Sequence, residues 1–216
     1  MINFCPSVWT IPLPNDEFEW ASYLSNLFNF NNFKTNEDIL REKHYKLESL
    51  REEELNKFSP NNKTEMNKDN IKNILGLKVK EQEFDLMRIH QLFMRTNQFN
   101  LSTRRLTKEQ INNLNLNSRT ILKSFRVEDN FGDYGMCAVF VAELVDKILN
   151  ISDFLISCRS LGRGVEDYIF DEIISIAKKR NIKLVKFNYV DTKKNAPIRK
   201  FLLEKKVNNA EQIYLV

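Results

Sequence analysis

The residues best suited to chemistry stand together in Ser157-Cys158-Arg159-Ser160-Leu161-Gly162-Arg163-Gly164-Val165-Glu166. Arg-x-x-Gly-x-Gly, between the apolar run Phe154-Leu155-Ile156 and an amphipathic stretch, reads as a strand-to-helix turn that can hold an anion. Paired glycines let backbone N–H groups approach a phosphate, and the helix after the turn presents its positive end. Leu161, Gly162, Arg163, Gly164 and Val165 are the expected cradle, with Arg159 or Arg163 as charge partner. A tight turn that merely needs glycine is the alternative. Cys158 sits at the edge of this arginine-rich turn, where a thiolate is favoured and can accept an acyl group. The opposing reading is a small buried strand residue.

Other candidates lie further off. His90, mid-helix beside Ile89, has the chemistry of a base for Cys158, or it packs. Asn97, Gln98 and Asn100 offer amide donors and acceptors to a ligand, or satisfy backbone groups in a buried loop. Asp133 is a turn former or a ligand contact. Asn195 either caps the last helix or reaches a cofactor. Thr103-Arg104-Arg105 can meet an acidic partner or form a solvated turn. Cys5, Cys137 and Cys158 show no CxxC pair, and with only two histidines no metal site is expected. Cys5, Cys137 and His44 read as structural.

The elements that position these residues emerge from periodicity and punctuation. Val8–Ile11 reads as a strand stopped by Pro12 and Pro14, and helices are expected from Asp16 to about Phe30 and from Thr35 to Lys57. Polar, aperiodic residues around 61–67 form a linker between an N-terminal segment, 1–60, and a domain at 68–216. A short helix at Ile71–Leu75 ends at Gly76, and Leu77–Lys80 is a strand. Phe84, Met87, Ile89, Leu92 and Phe93 mark a helix, and Thr107 and Gln110 have capping-box spacing. Thr120–Val127 and Met136–Glu143 form a hairpin around Asn130–Gly135. Asp153–Cys158 is the strand entering the glycine turn. Val165, Ile169, Ile173 and Ile176 line one face of the next helix. A strand through Val185, Phe187 and Tyr189, a helix opened by Pro197 and a strand at Ile213–Val216 complete an α+β domain on a mostly antiparallel sheet.

Composition excludes some classes. The 216 residues carry 33 basic and 29 acidic side chains, a net charge of +4 with interleaved signs, so no nucleic-acid partner is expected. A mean hydropathy of −0.44, no apolar run of membrane-spanning length and no secretory leader lead to the expectation of a cytoplasmic protein.

The element order resembles the N-acyltransferase fold, which binds the coenzyme A pyrophosphate at such a turn. The likeness narrows on four blocks: Arg95 to Arg105, Phe131 to Gly135, Ser157 to Glu166 (without Ser160), and Thr192 to Pro197. Together they resemble the C-terminal half of FkbH-like proteins. Val8–Pro14, Thr35–Asp38, Arg41 and Tyr45 resemble the tail of that family's haloacid-dehalogenase-type phosphatase domain. The resemblance implies transfer of a pantetheine-linked acyl group, here a glyceryl unit, to an acyl carrier protein in polyketide-type or surface-polysaccharide biosynthesis. It assigns Arg159, Leu161–Val165 and Asn195 to the coenzyme A or carrier phosphopantetheine, and Asn97, Gln98, Asn100 and Asp133 to the substrate or pantetheine amides. It makes Cys158 the acyl acceptor, with His90 assisting. The phosphatase nucleophile motif Asp-x-Asp occurs nowhere in the chain, so a separate phosphatase chain is an implied partner. The family's Phe-Tyr pair near the last helix is Phe201-Leu202 here, which argues against ordinary amine acetylation. Two alternatives stay open: a non-catalytic docking module, and a conventional coenzyme A-dependent N-acyltransferase.

Overall fold

The computed structural model describes residues 13–20, 23–24, 36–58, 68–207 and 213–215. The chain divides into two compact units, Met1–Ser49 and Leu50–Val216. In the first, a 3-10 turn spans Glu17–Glu19, and the Trp20 indole N–H donates to the Pro14 carbonyl at 2.8 Å. Helix α1 (Asn36–Phe58) begins in this unit, and its residues from Leu50 onward belong to the second. The expected strand at Val8–Ile11, most of the expected helix from Asp16 to Phe30 and the linker at 61–67 lie outside the described residues.

The second unit is built on a seven-stranded sheet. Helix α2 (Lys68–Leu75) leads into it and ends as Gly76 predicts. Gly76 takes φ +63, and Leu77 N–H bonds back to the Lys72 carbonyl at 2.9 Å, closing a Schellman-type cap. Strand β1 (Lys78–Gln82) comes next, then helix α3 (Leu86–Arg95), the two-residue strand β2 (Phe99–Asn100) and helix α4 (Lys108–Leu116). Both halves of the Thr107/Gln110 capping box are formed, at 2.9 and 3.2 Å. Strands β3 (Thr120–Asp129), β4 (Gly132–Val145) and β5 (Ile148–Ile156) make an antiparallel meander. Helix α5 (Val165–Lys179) then crosses to strand β6 (Leu184–Phe187), the partner that runs parallel to β5. Helix α6 (Ala196–Glu204) and strand β7 (Ile213–Leu215) finish the domain. Spatial order is β1-β3-β4-β5-β6-β7, with β2 paired to β5.

The pleat sorts side chains to two cores. Ala138, Phe140 and Ala142 of β4 face a cluster with Val165, Ile169 and Ile173 of α5 and Phe201 of α6. Their neighbours Val139 and Val141 face Ile89, Leu92 and Phe93 of α3 and Ile111 of α4. A strand covered on both faces loses its polar alternation, which is why Met136–Ala142 reads as one apolar run.

Several boundaries shift by a few residues, and the strand entering the glycine turn shifts most at its start. The strand before the glycine turn starts at Ile148, five residues earlier than Asp153, and ends at Ile156 rather than Cys158. Its hairpin with β4 turns on Asp146 (φ 50) and Lys147 (φ 63), the left-handed pair of a type I′ turn without glycine.

Candidate functional site

Strand β5 delivers the chain to the arginine–glycine turn. Ser157 N–H donates to the Cys137 carbonyl of β4 at 2.7 Å, and a 3-10 turn over Cys158–Ser160 comes after it. The buried Ser160 folds its hydroxyl back onto the Ser157 carbonyl at 3.1 Å. Gly162 (φ +78) and Gly164 (φ +86) are both left-handed, and Gly164 is the N-cap of α5 without any capping side chain. A Cβ on Gly162 would meet nothing within 4 Å, so the space above the turn is open. The first turn of α5 carries its own acids. The buried Glu166 accepts the Gly162 N–H at 3.1 Å, occupying one donor of the cradle.

Arg163 leaves the turn for the β3–β4 hairpin. Its guanidinium donates to the Tyr134 hydroxyl and lies 5.3 Å from the Tyr134 ring centroid. Arg51, on the end of α1, stands 4.1 Å from the same centroid and forks onto Asp129 at 2.6 and 3.1 Å. Tyr134 O–H donates to Asp129 at 2.6 Å, and Asp129 also accepts the Phe131 and Gly132 N–H groups at 2.9 Å. Burial works to raise the Asp129 pKa, but the bonds from Arg51 and Tyr134 outweigh it and hold the carboxyl below its ordinary value. Burial and the Asp129 bond push the Tyr134 phenol well up, so it stays neutral. The result is a phenol between two guanidiniums with one carboxylate, joining α1, the hairpin and the glycine turn.

A second arginine is held on strand β4. Arg88 of α3 binds the Met136 carbonyl at 3.2 and 3.1 Å. Its pKa is lowered by burial first and by the Arg159 charge next. Buried Cys137 is on β4 too; burial pushes its thiol up against the opposing pull of Arg159 and Ser160. Cys158 differs, because its thiol is exposed. The buried-strand alternative for Cys158 is therefore wrong: β5 has ended two residues before it. His90 is half-buried on α3, and no hydrogen bond joins it to Cys158 among the described residues.

The Arg95–Arg105 block does something its composition did not announce. Strands β5 and β6 pair from Ile148/Leu184 to Ile151/Phe187, with a last bond from Asn188 N–H to the Ile151 carbonyl at 3.0 Å. Beyond that point Phe99–Leu101 lies between them. Phe99 and Asn100 pair with Ile156 and Leu155, and Leu101 N–H donates to the Phe154 carbonyl at 3.0 Å. On the far side, Val190 N–H donates to the Leu101 carbonyl at 3.0 Å. Asn195 Nδ2 donates to the Asn100 and Val190 carbonyls at 3.1 and 2.8 Å. Asn195 Oδ1 accepts from Thr192 N–H and Thr192 Oγ1, both at 2.9 Å. So the fully buried Asn195 stands at the N-cap position of α6, as one expectation had it, but its side chain makes no capping bond and is spent on the Asn100, Val190 and Thr192 backbone instead of a cofactor.

The neighbouring candidates are spent in the same way. Buried Asn100 donates to the Thr96 carbonyl and accepts the Thr103 N–H, the backbone-satisfying alternative. Arg104 pairs with the wholly buried Asp153, which also takes the Ser102 hydroxyl at 2.6 Å. Arg105 binds the Phe93 and Thr96 carbonyls and Asn97 Oδ1. These arginines are braces rather than a free basic turn. Asn97 and Gln98 are exposed. Asp133 pairs with Arg126 and accepts the Gly135 N–H at 2.7 Å, as a turn former does. Among the described residues no group of three or more His, Cys, Asp or Glu side chains could hold a metal ion. No helix there is long and apolar enough to cross a membrane. The sequence reading missed Arg51, Arg88, Asp129 and Asp153; each acts through a partner more than 40 residues away, as in Arg51 with Asp129, and such pairings leave no local spacing signal.

A pantetheine-type ligand can be tested against this arrangement in two parts. Its phosphate end fits the turn: two left-handed glycines and open space above Gly162. Its amide-bearing arm does not fit along β5, whose second edge is already taken.

No family model matches the chain, and no curated protein sequence matches it. Solved structures are similar over part of it. The ribosomal-protein-S18-alanine N-acetyltransferase of Escherichia coli is 13% identical over 50% of this chain, with a TM-score of 0.39. The match spans 64% of that enzyme, less than two thirds of its length. A GCN5-related N-acetyltransferase from Kribbella flavida is 18% identical over 52% of this chain and 71% of its own, with a TM-score of 0.37. The PaiA N-acetyltransferase of Thermoplasma acidophilum, solved with coenzyme A, is 9% identical over 63% of this chain and 96% of its own, with a TM-score of 0.45. These similarities cover part of the chain and assign it no activity or substrate.

Proposed function

We propose that this chain is an acyltransferase-type domain whose arginine–glycine turn binds the phosphate end of a pantetheine-linked acyl group. One observation carries the reading: β5 opens into a turn with Gly162 and Gly164 left-handed, directly before the uncapped N-terminus of α5. Within Leu161–Val165 the donors come from the Gly164 end, since Leu161 N–H bonds to the Cys158 carbonyl and Gly162 N–H to Glu166, and Arg159 and Arg163 supply charge. Bound there, the group supplies an activated acyl carbon. The exposed Cys158 is the residue of this turn able to accept an acyl chain: its thiolate attacks the acyl carbonyl, the pantetheine thiol leaves, and a carrier thiol then displaces the Cys158 thiol by the same exchange. The FkbH-like resemblance favours a glyceryl unit and an acyl carrier protein as the acceptor, with a separate phosphatase chain upstream.

A non-catalytic docking module is the second reading, and a specific observation favours it. Glu166 places a carboxylate on the Gly162 N–H, where it competes with an incoming phosphate. Intact-mass measurement after incubation with glyceryl and acetyl thioesters separates the two. An adduct on the wild type that is lost in Cys158→Ala supports acyl transfer. No adduct, or an unchanged one in Cys158→Ala, removes the covalent step and leaves the docking reading. Acetylation of free amines without a protein adduct would instead support a conventional N-acyltransferase.

A further inference from the structure

A ligand anchored by its phosphate in the turn and carrying an extended chain of amides would need a strand edge leading away from the turn. Among the described residues β5 is the strand that runs straight into it, so its two edges decide the matter. One edge is paired with β4 along its length, from Val145/Ile148 to Ala138/Ile156. The other carries β6 over Ile148–Ile151 and Phe99–Asn100 over Leu155–Ile156, up to the residue before Ser157. The insert is bonded on both sides, to Phe154 by one and to Val190 and Asn195 by the other. It is also locked by side chains. Phe99 meets Phe154 and Phe201 edge-on at 5.1 and 5.5 Å, Leu101 is fully buried, and the Arg104–Asp153 pair pins the exit.

From this we infer that Phe99–Leu101 is a built-in strand that closes β5 to any extended, amide-bearing ligand. The turn then holds a pantetheine-type molecule by its phosphate end, and the arm leaves over the outer face of the turn. Segment 95–105 is thus a specificity element: it removes the strand contacts by which the domain could tell a pantetheine arm from no arm at all. The inference about the arm rests on the phosphate reading above, whereas the closure itself does not.

The test uses the full chain and two probes that differ by the arm alone: coenzyme A, and adenosine 3′-phosphate 5′-diphosphate. Calorimetry gives their affinities, and amide hydrogen exchange tracks Leu101 and Val190. Equal Kd values within about threefold, with both amides as slow as those of the β4 core in the free and bound chain, are the expected result. Coenzyme A binding tenfold or more tightly, with faster exchange at Leu101, overturns the inference, because the arm would then have displaced the insert. If neither probe binds, the phosphate reading fails while the closure still stands or falls on exchange in the free chain. Fast exchange at Leu101 and Val190 there would overturn it.

Discussion

Asn195 offers the sharpest test of how the insert is held. Its amide donates two bonds, to the Asn100 and Val190 carbonyls, and its oxygen accepts from Thr192 N–H and Oγ1, with the side chain fully buried. Because one side of the amide faces only acceptors and the other only donors, the two ends cannot be exchanged. Asn195→Ala removes these four bonds and a longer one from the Tyr189 hydroxyl at 3.4 Å, and strands buried polar groups at about 1–3 kcal/mol each, partly offset where a carbonyl keeps another partner. A net loss of about 3 kcal/mol is expected, or a Tm fall of roughly 6–12 °C for a domain of this size. Asn195→Asp keeps the volume and the Thr192 side but turns a carboxylate oxygen toward two carbonyls. At pH 7 it is the worse variant, by about 1–2 kcal/mol, since a buried unpaired charge is costlier than a void. Burial raises the carboxyl pKa in the folded state, so its penalty against wild type shrinks below the ordinary carboxylate pKa and grows as pH rises above it. The Ala penalty stays flat. Urea unfolding of the three proteins at pH 4.5 and 7 measures this. An Asp variant as stable as the Ala variant at pH 7, or penalties without pH dependence, would refute the bonding scheme.

Further outcomes are expected elsewhere. Arg51→Ala leaves the wholly buried Asp129 without its ionic partner and costs about 3–5 kcal/mol, readable as a lower urea midpoint. The depressed Asp129 pKa gives stability that is present above the unfolded carboxylate value and lost as pH falls through the folded one. Asp129→Asn therefore loses stability at pH 7 and shows a shallower acid limb below about pH 4; an unchanged limb contradicts the pairing. Gly162→Ala meets no atom within 4 Å and pays only the left-handed backbone cost of about 1–2 kcal/mol, whereas Gly76→Ala adds a clash with the Asn130 side chain at 2.4 Å. Thermal melts showing Gly76→Ala no worse than Gly162→Ala would contradict that ranking.

Local signals in the sequence led far where structure is local. The Thr107 capping box, Gly76 as a helix stop, Pro197 at the start of α6 and the face Val165–Ile176 all took their expected places. The Asp146–Lys147 turn escaped because lysine rarely takes positive φ, so nothing marked the start of β5. Strand β2 escaped for a different reason. Two residues have no periodicity, and Phe99–Leu101 is extended only because β5 and the chain near Val190 bond it from both sides. The site shows the same division. The glycine turn was legible from its glycines, whereas the sequence left Asn100 open between a ligand contact and a backbone brace and did not show Asn195 as a brace. Their partners, such as Asn100 for Asn195, are brought near only by the finished fold.

Arg51 has a bearing on where this protein can be divided. The polar residues at 61–67 invite separation of residues 68–216 as an independent module, and domain shuffling in evolution or by design would use the same seam. Yet a piece starting at Lys68 would leave behind the guanidinium that neutralises Asp129 and covers the Tyr134 ring. Tyr134 in turn holds Arg163 of the glycine turn. The end of α1 therefore belongs with the second unit, and a transplant that keeps these contacts must carry the chain from about Leu50.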